Sequence, residues 1–206
     1  MNKNNLILYI GILIFGFGRF GQFISKKMVK YGFGVYATSR GDYTDEAREI
    51  GVNFIRFEDL QNFIEGSLKN NIDVIIFSTS INSFKDVYEN FSSKFSEYIF
   101  GKLVVDVLSV KVYAKEIFDS DKYLSNDNFF LLTHPMFGPD SAKITWIGKK
   151  FIYWYDYNIL QEQVNNKKFS KKILDNFLNI KLFVKHDIII FNNKYFSSKI
   201  FKLFTL

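Results

Sequence analysis

Three stretches of the 206-residue chain concentrate the residue types that can do chemistry: GFGRFG at 16–21, VVDVLSVK at 104–111 and THPMFGP at 133–139. The last holds both prolines of the chain and one of its two histidines, His134. An imidazole titrates near pH 6.5 when unperturbed, which suits it to accept a proton at neutral pH. Flanking prolines remove backbone freedom around it. The first stretch has the spacing of a phosphate-binding turn. Gly16 would make the tight turn, Gly18 would let the backbone approach a pyrophosphate, and Gly21 would let the helix pack on the strand. Arg19 and Phe20, inside that turn, are expected to bind the cofactor beside the same phosphates. The opening helix then offers unpaired N–H groups and its positive dipole end.

These groups need a frame that brings them to one edge. Short apolar runs alternate with amphipathic stretches through the first 155 residues, the pattern of a parallel sheet covered by helices. Strands are expected at Leu6 to Phe15, Gly34 to Ser39, Asn53 to Phe57, Val74 to Phe77, Leu103 to Val107, Phe129 to Thr133 and Phe151 to Tyr155. Phe20, Ile24, Met28 and Tyr31 recur at helical spacing after the glycine turn. Further helices are expected at Thr44 to Ile50, Asp59 to Lys69, Ser83 to Ser93 and Val112 to Asp119. The fold class is therefore α/β, a doubly wound, mainly parallel, Rossmann-like sheet. Residues 1–160 form the cofactor domain, and the Asn/Lys-rich patch near 165 marks its boundary with 161–206.

In that frame the second strand ends at Ser39 and Arg40, where an NAD-binding fold places an acid for the ribose. A hydroxyl and a guanidinium fork suit a 2′-phosphate, so NADP is expected over NAD. Asp42, close by, reads either as a ribose ligand or as a helix cap. The fourth strand carries Ser78 and Thr79 to the carboxyl edge, and the fifth carries Ser109, which also stands where a helix N-cap would. The sixth strand brings His134 to the same edge, at the head of a proline-restricted loop.

GFGRFGQF, SRGDYTDEAREIGV, VVDVLSVK and THPMFGPDS together resemble the arogenate/prephenate dehydrogenase family, especially its plant-type arogenate dehydrogenases, in order and spacing. The resemblance implies NADP-dependent oxidative decarboxylation of arogenate to tyrosine, with prephenate as the alternative substrate and no metal. It implies His134 as acceptor of the ring hydroxyl proton and Ser109 as the residue orienting that hydroxyl and the imidazole. Ser141, in the loop after His134, and His186, at the family's His-Asp step, are implied in substrate binding. Family members continue into an all-helical domain that dimerises and closes over the substrate. NKKFSKKILDNFLNIKLFVKHD, at 166–187, resembles the entry to that domain. After Asp187 the resemblance fades, so 161–206 are expected to be a short helical remnant. An apolar stripe through Ile188, Ile190, Phe191, Phe196, Ile200 and Phe204 would be left uncovered, with poor turnover as the consequence.

Composition narrows the alternatives. An apolar share of 48% with 23% charged residues fits a folded core. The net charge of +6 suits an anionic partner, yet the lysines are scattered among 21 acidic residues, and a nucleic-acid stripe is not expected. Without cysteine there is no disulfide, thiolate metal site or cysteine nucleophile. The apolar run from Leu6 to Phe15 is shorter than the roughly 20 residues of a membrane span and reads as a buried strand. A cytoplasmic location, or the plastid stroma after loss of a transit peptide, is the corresponding expectation. An inactive NADP-binding module is the competing reading.

Overall fold

The structure is a computed structural model, and it describes residues 10–68, 72–121, 128–166, 173–174 and 188–191. Eight strands form one sheet: β1 (Gly11–Phe15), β2 (Gly34–Ser39), β3 (Asn53–Arg56), β4 (Val74–Phe77), β5 (Leu103–Asp106), β6 (Phe129–Pro135), β7 (Phe151–Trp154) and β8 (Ile188–Phe191). Their spatial order is β3-β2-β1-β4-β5-β6-β7-β8. The first six strands run parallel in the order of a doubly wound dinucleotide fold, whereas β7 pairs antiparallel with β6 and β8 parallel with β7.

Parallel strands buried on both faces read as continuous apolar runs, and β1, β4 and β5 are buried at every position. Alternate residues divide between two cores. On one face Ile12 and Ile14 pack with Ile24 and Met28 of α1 (Arg19–Lys30) and Ala47 of α2 (Thr44–Ile50). On the other, Leu13 and Phe15 pack with Leu60 of α3 (Leu60–Phe63), Phe84 and Tyr88 of α4 (Ile81–Ile99), and Ala114 and Ile117 of α5 (Lys111–Asp119). Each such aliphatic or aromatic side chain, fully buried, is worth about 1.5–3 kcal/mol relative to exposure. A last helix, α6 (Tyr157–Asn165), starts on Asp156, whose carboxylate accepts from the N–H groups of Asn158 and Ile159. It runs across residue 160.

Three expectations need correction. Instead of ending at Thr133, strand β6 continues through His134 and Pro135, because β7 folds back against it and pairs Ile152 with His134 and Phe151 with Pro135. A proline fits there as the last residue of its strand. The single helix expected at Asp59 to Lys69 is a 3₁₀ turn at Phe57–Asp59, then α3, then a π turn at Ile64–Leu68. The tail expected to be helical contributes Ile188–Phe191 as strand β8, so Ile188, Ile190 and Phe191 extend the sheet. The rest of that stripe lies outside the described residues, as do Leu6 to Tyr9 of the first expected strand. Among the described residues no helix is long and apolar enough to cross a membrane.

Candidate functional site

The crevice opens where the strand order reverses, between the carboxyl ends of β1 and β4. It is a cleft of about 250 Å³ lined by Gly16, Gly18, Thr38, Ser39, Arg40, Ser78 and Thr79, together with Tyr43, Ser80 and Ser83. Six of the residues expected to bind cofactor therefore meet in one place. Gly16 and Gly18 line it, and Gly21 lies in the first turn of α1 behind them. Gly16 has a φ of 93°, in the left-handed region, and a Cβ there would stand 2.5 Å from the Ser78 carbonyl oxygen. A Cβ on Gly21 would stand 2.1 Å from the Gly16 carbonyl oxygen, whereas nothing lies within 4 Å of one on Gly18. Two of the glycines thus serve close packing, and the third leaves open space before the N-terminus of α1. Gly21→Ala is expected to displace that helix start, destabilising the fold on the order of 1–3 kcal/mol and abolishing cofactor binding. A thermal melt and a cofactor titration check this; wild-type values in both would contradict it.

The cleft has unmet hydrogen-bonding capacity. Thr38 Oγ1, Ser78 Oγ and Thr79 Oγ1 are buried without a protein partner. Such hydroxyls suit a ligand rich in phosphate and ribose oxygens. Arg40 is exposed at the tip of β2, and its guanidinium donates a long bond, 3.3 Å, to Ser83 Oγ. The Asp42 carboxylate accepts from the Thr44 N–H at 3.1 Å and the Thr44 hydroxyl at 2.6 Å, in the turn before α2, whose N-cap is Tyr43, and from Arg56 at 2.9 Å. Bonding to the Thr44 hydroxyl and N–H, and then the nearby Arg56 guanidinium, hold this carboxyl below the usual carboxylate range.

His134 lies further along the same edge, beyond β5. It is half-buried, and its Nδ1 is buried with no hydrogen-bond partner. Burial, and then the positive charge of Lys111, push its pKa below the ordinary imidazole value. The ring is therefore neutral at pH 7, the form a general base requires. Ser109 is exposed in the turn between β5 and α5. It is not the N-cap of α5, a place taken by Val110, and it makes no bond to Nδ1 of His134.

The loop after His134 is tied to α1. Arg19, which does not line the cleft, makes an exposed ion pair with Asp140, one guanidinium nitrogen, Nη2, donating to both carboxylate oxygens at 3.0 Å. A Cβ on Gly138 would lie 3.8 Å from Phe20. Phe23, Phe137 and Trp146 form an aromatic cluster, with Phe23 and Phe137 each 5.0 Å from Trp146 between ring centroids. The Ser141 hydroxyl accepts from the Gly138 N–H at 3.0 Å, closing the turn between them. His186 lies outside the described residues.

Beneath His134 is a pair that sequence reasoning passed over. Asp106, fully buried at the end of β5, receives the ammonium of Lys111, itself 7% exposed. Burial pushes the Asp106 carboxyl up and the Lys111 ammonium down, while their mutual attraction opposes both shifts. The Asp106 carboxylate also accepts from the N–H groups of Leu108 at 3.1 Å and Thr133 at 3.2 Å. The available signal was a carboxylate closing the apolar run LVVD with a lysine five residues on. Lys111→Met would leave that carboxylate buried without its cation, an expected loss of about 3–5 kcal/mol in denaturant unfolding. A loss under 1 kcal/mol would contradict the pairing. Among the described residues no three His, Cys, Asp or Glu side chains gather as a metal site would need.

No protein-family model matches the chain. Among curated proteins it is 41% identical over 142 residues to arogenate dehydrogenase 2, chloroplastic, of Arabidopsis thaliana, a match covering 69% of this chain and 37% of that protein. It is 45% identical over 146 residues to arogenate dehydrogenase 1, chloroplastic, of the same plant, covering 71% of this chain and 21% of that one. The matches thus span well under half the length of these relatives. Among solved structures, Synechocystis arogenate dehydrogenase matches with a TM-score of 0.60 at 20% identity, covering 89% of this chain and 60% of that one. Prephenate dehydrogenase from A. aeolicus, in complex with hydroxyphenyl propionate and NAD+, matches at 0.61 and 18%, covering 90% and 60%. An imine reductase variant from Myxococcus stipitatus with NAD+ matches at 0.64 and 13%, covering 96% and 60%. At these identities the structures speak for the fold alone, while the curated matches speak for descent. Across those 142 to 146 residues the chain is similar in sequence to plant arogenate dehydrogenases.

Proposed function

We propose that this chain is the cofactor-binding and proton-accepting part of an NADP-dependent arogenate dehydrogenase, an oxidoreductase that converts arogenate to tyrosine with loss of carbon dioxide. The observation that carries the reading is the shared edge. The glycine turn, the Arg40 tip and the half-buried His134, whose Nδ1 has no partner, all lie at the carboxyl ends of parallel strands of one sheet. From β2 to β6 there are four strand spacings, roughly 19 Å, a span that an extended dinucleotide can bridge.

Gly16, Gly18 and Gly21 with the start of α1 would hold the pyrophosphate, Ser78 and Thr79 would bond ribose or phosphate oxygens, and Ser39 and Arg40 would hold the 2′-phosphate. Engagement of Asp42 by Thr44 and Arg56 supports NADP over NAD, because that carboxylate is already committed away from a ribose diol. When bound, a nicotinamide supplies the hydride acceptor. His134 takes the ring hydroxyl proton as the hydroxyl-bearing carbon gives up its hydride. The ring carboxylate then leaves as carbon dioxide, its bonding pair entering the ring, and the proton returns to the ring oxygen. Aromatisation drives the step; His134 supplies the base, and the exposed Ser109 hydroxyl orients the substrate oxygen toward it.

The reading is tested by following reduced nicotinamide in absorbance with arogenate and prephenate in parallel, each with NADP+ and NAD+. Turnover fastest with arogenate and NADP+ is the expected result. Prephenate preference would reassign the substrate. Cofactor binding without turnover of either substrate would make the chain a binding module.

A further inference from the structure

We propose that Lys111 is a positioning residue for His134: its ammonium, clamped between the Asp106 carboxylate and the Thr133 carbonyl, fixes the backbone that carries the imidazole and holds a positive charge beneath it. The inference rests on the dehydrogenase reading only for the reaction that His134 serves.

The geometry converges on Thr133, the fully buried residue before His134. Its carbonyl accepts from Lys111 Nζ at 2.5 Å, its N–H donates to Asp106 Oδ1 at 3.2 Å, and its hydroxyl donates to the Asp106 carbonyl at 2.6 Å. Every polar group of Thr133 is thus bonded to the Asp106–Lys111 pair or to the backbone of Asp106. The Thr133 carbonyl belongs to the same planar peptide as the His134 N–H, so holding that oxygen orients the plane from which the imidazole departs. On the far side β7 holds the same segment, Tyr153 opposite Thr133 and Ile152 opposite His134.

A buried ion pair is weak evidence for stability, since apolar residues of similar volume fill such a site as well or better. Its place beside an unpartnered imidazole points instead to that imidazole. The charges around His134 are few. From α5 comes Lys111, with Asp106 of β5 behind it; from β7 come the uncharged Ile152 and Phe151. At the entry to β7, Lys149 is half-buried and Lys150 exposed, and the Arg19–Asp140 pair between α1 and the loop is exposed. Burial first, and then the charge of Lys111, disfavours a proton on His134. A proton on the imidazole is disfavoured by that fixed charge, which keeps the base unprotonated to lower pH.

The test is an NMR titration of the His134 imidazole in the full chain, its signal assigned by its absence in His134→Asn. The single variant Lys111→Met strands a buried carboxylate, so the decisive variant is Asp106→Asn with Lys111→Met, which removes both charges at similar volume. The expected result is a folded protein whose His134 titrates at higher pH than in the wild type, with Lys111→Arg retaining the wild-type midpoint. The acidic limb of the turnover profile should move up in parallel, and turnover at neutral pH should fall about 10- to 100-fold as the imidazole loses its orientation. An unchanged midpoint in the double variant overturns the proposal. Loss of the fold in that variant overturns it too, by assigning the pair to the core. The titration needs no substrate, so a shifted midpoint in a chain without turnover supports Lys111 and overturns the dehydrogenase reading alone.

Discussion

Replacing His134 by Asn is expected to lower turnover on the order of 100- to 10,000-fold while leaving cofactor affinity near its wild-type value. Asn keeps much of the shape and a hydrogen-bonding edge but has no basic nitrogen in this pH range. The imidazole lies one strand beyond β5, outside the cleft formed by Gly16, Gly18 and Arg40, so its loss should not disturb the phosphate end. The pH dependence has a definite sign. Burial and then Lys111 lower the His134 pKa, so turnover should hold as the pH falls through the ordinary imidazole value near 6.5 and decline only below it. In the Asn variant this acidic limb should vanish. The same depression links to folding. An unfolded chain takes up the proton near pH 6.5 and the folded chain only lower, so the contribution of His134 to stability is present above that pH and is lost as the pH falls through the folded pKa. A variant with near-normal turnover, or one that keeps the acidic limb, would remove His134 from the reaction.

Arg40→Asp should reverse the cofactor order. The guanidinium stands exposed at the tip of β2, and its long bond to Ser83 can be exchanged for the oxygens of a 2′-phosphate. Removing a charge-assisted bond of this kind costs about 10- to 100-fold in affinity, and the new carboxylate adds repulsion toward the phosphate dianion. NAD+ has no such group, and the introduced carboxylate would offer its ribose hydroxyls an acceptor. Parallel calorimetric titrations of NADP+ and NAD+ read the change. If the wild type already favours NAD+, or if the variant leaves the order untouched, the 2′-phosphate is not held at this tip.

Much of the sheet was legible because burial on both faces writes itself as uninterrupted apolar runs. Gly34–Ser39 and Val74–Phe77 begin and end where those runs do, and Thr44–Ile50 ends at Gly51, whose φ of 83° only glycine adopts easily. The glycine turn was legible because its spacing has a steric cause that Gly16 and Gly21 display. What escaped the reading depended on contacts distant in sequence. Pro135 looked like the beginning of a loop, but a strand returning sixteen residues later makes it the last residue of β6, with Phe151 opposite. Ile188–Phe191 was assigned to a helical remnant as the continuation of 161–187, although a run of three isoleucines and a phenylalanine has the β-branched and aromatic character of a strand. Asp106 and Lys111 were quoted within a motif, yet their joint burial follows only from the packing of α5 against β5 and β6.

The continuity of the site from Arg40 to His134 is what a cofactor must respect. It is measured by watching the assigned His134 imidazole signal while NADP+ is titrated into the chain, and again with adenosine 2′,5′-bisphosphate, which carries the phosphate end of the cofactor and lacks the nicotinamide. Both ligands should bind saturably and lose affinity in Arg40→Asp. Only NADP+ should move the His134 resonance, because only its nicotinamide extends past β4 and β5 to the end of β6. An imidazole signal indifferent to NADP+, or one that responds equally to the bisphosphate, would contradict a single dinucleotide site along this edge.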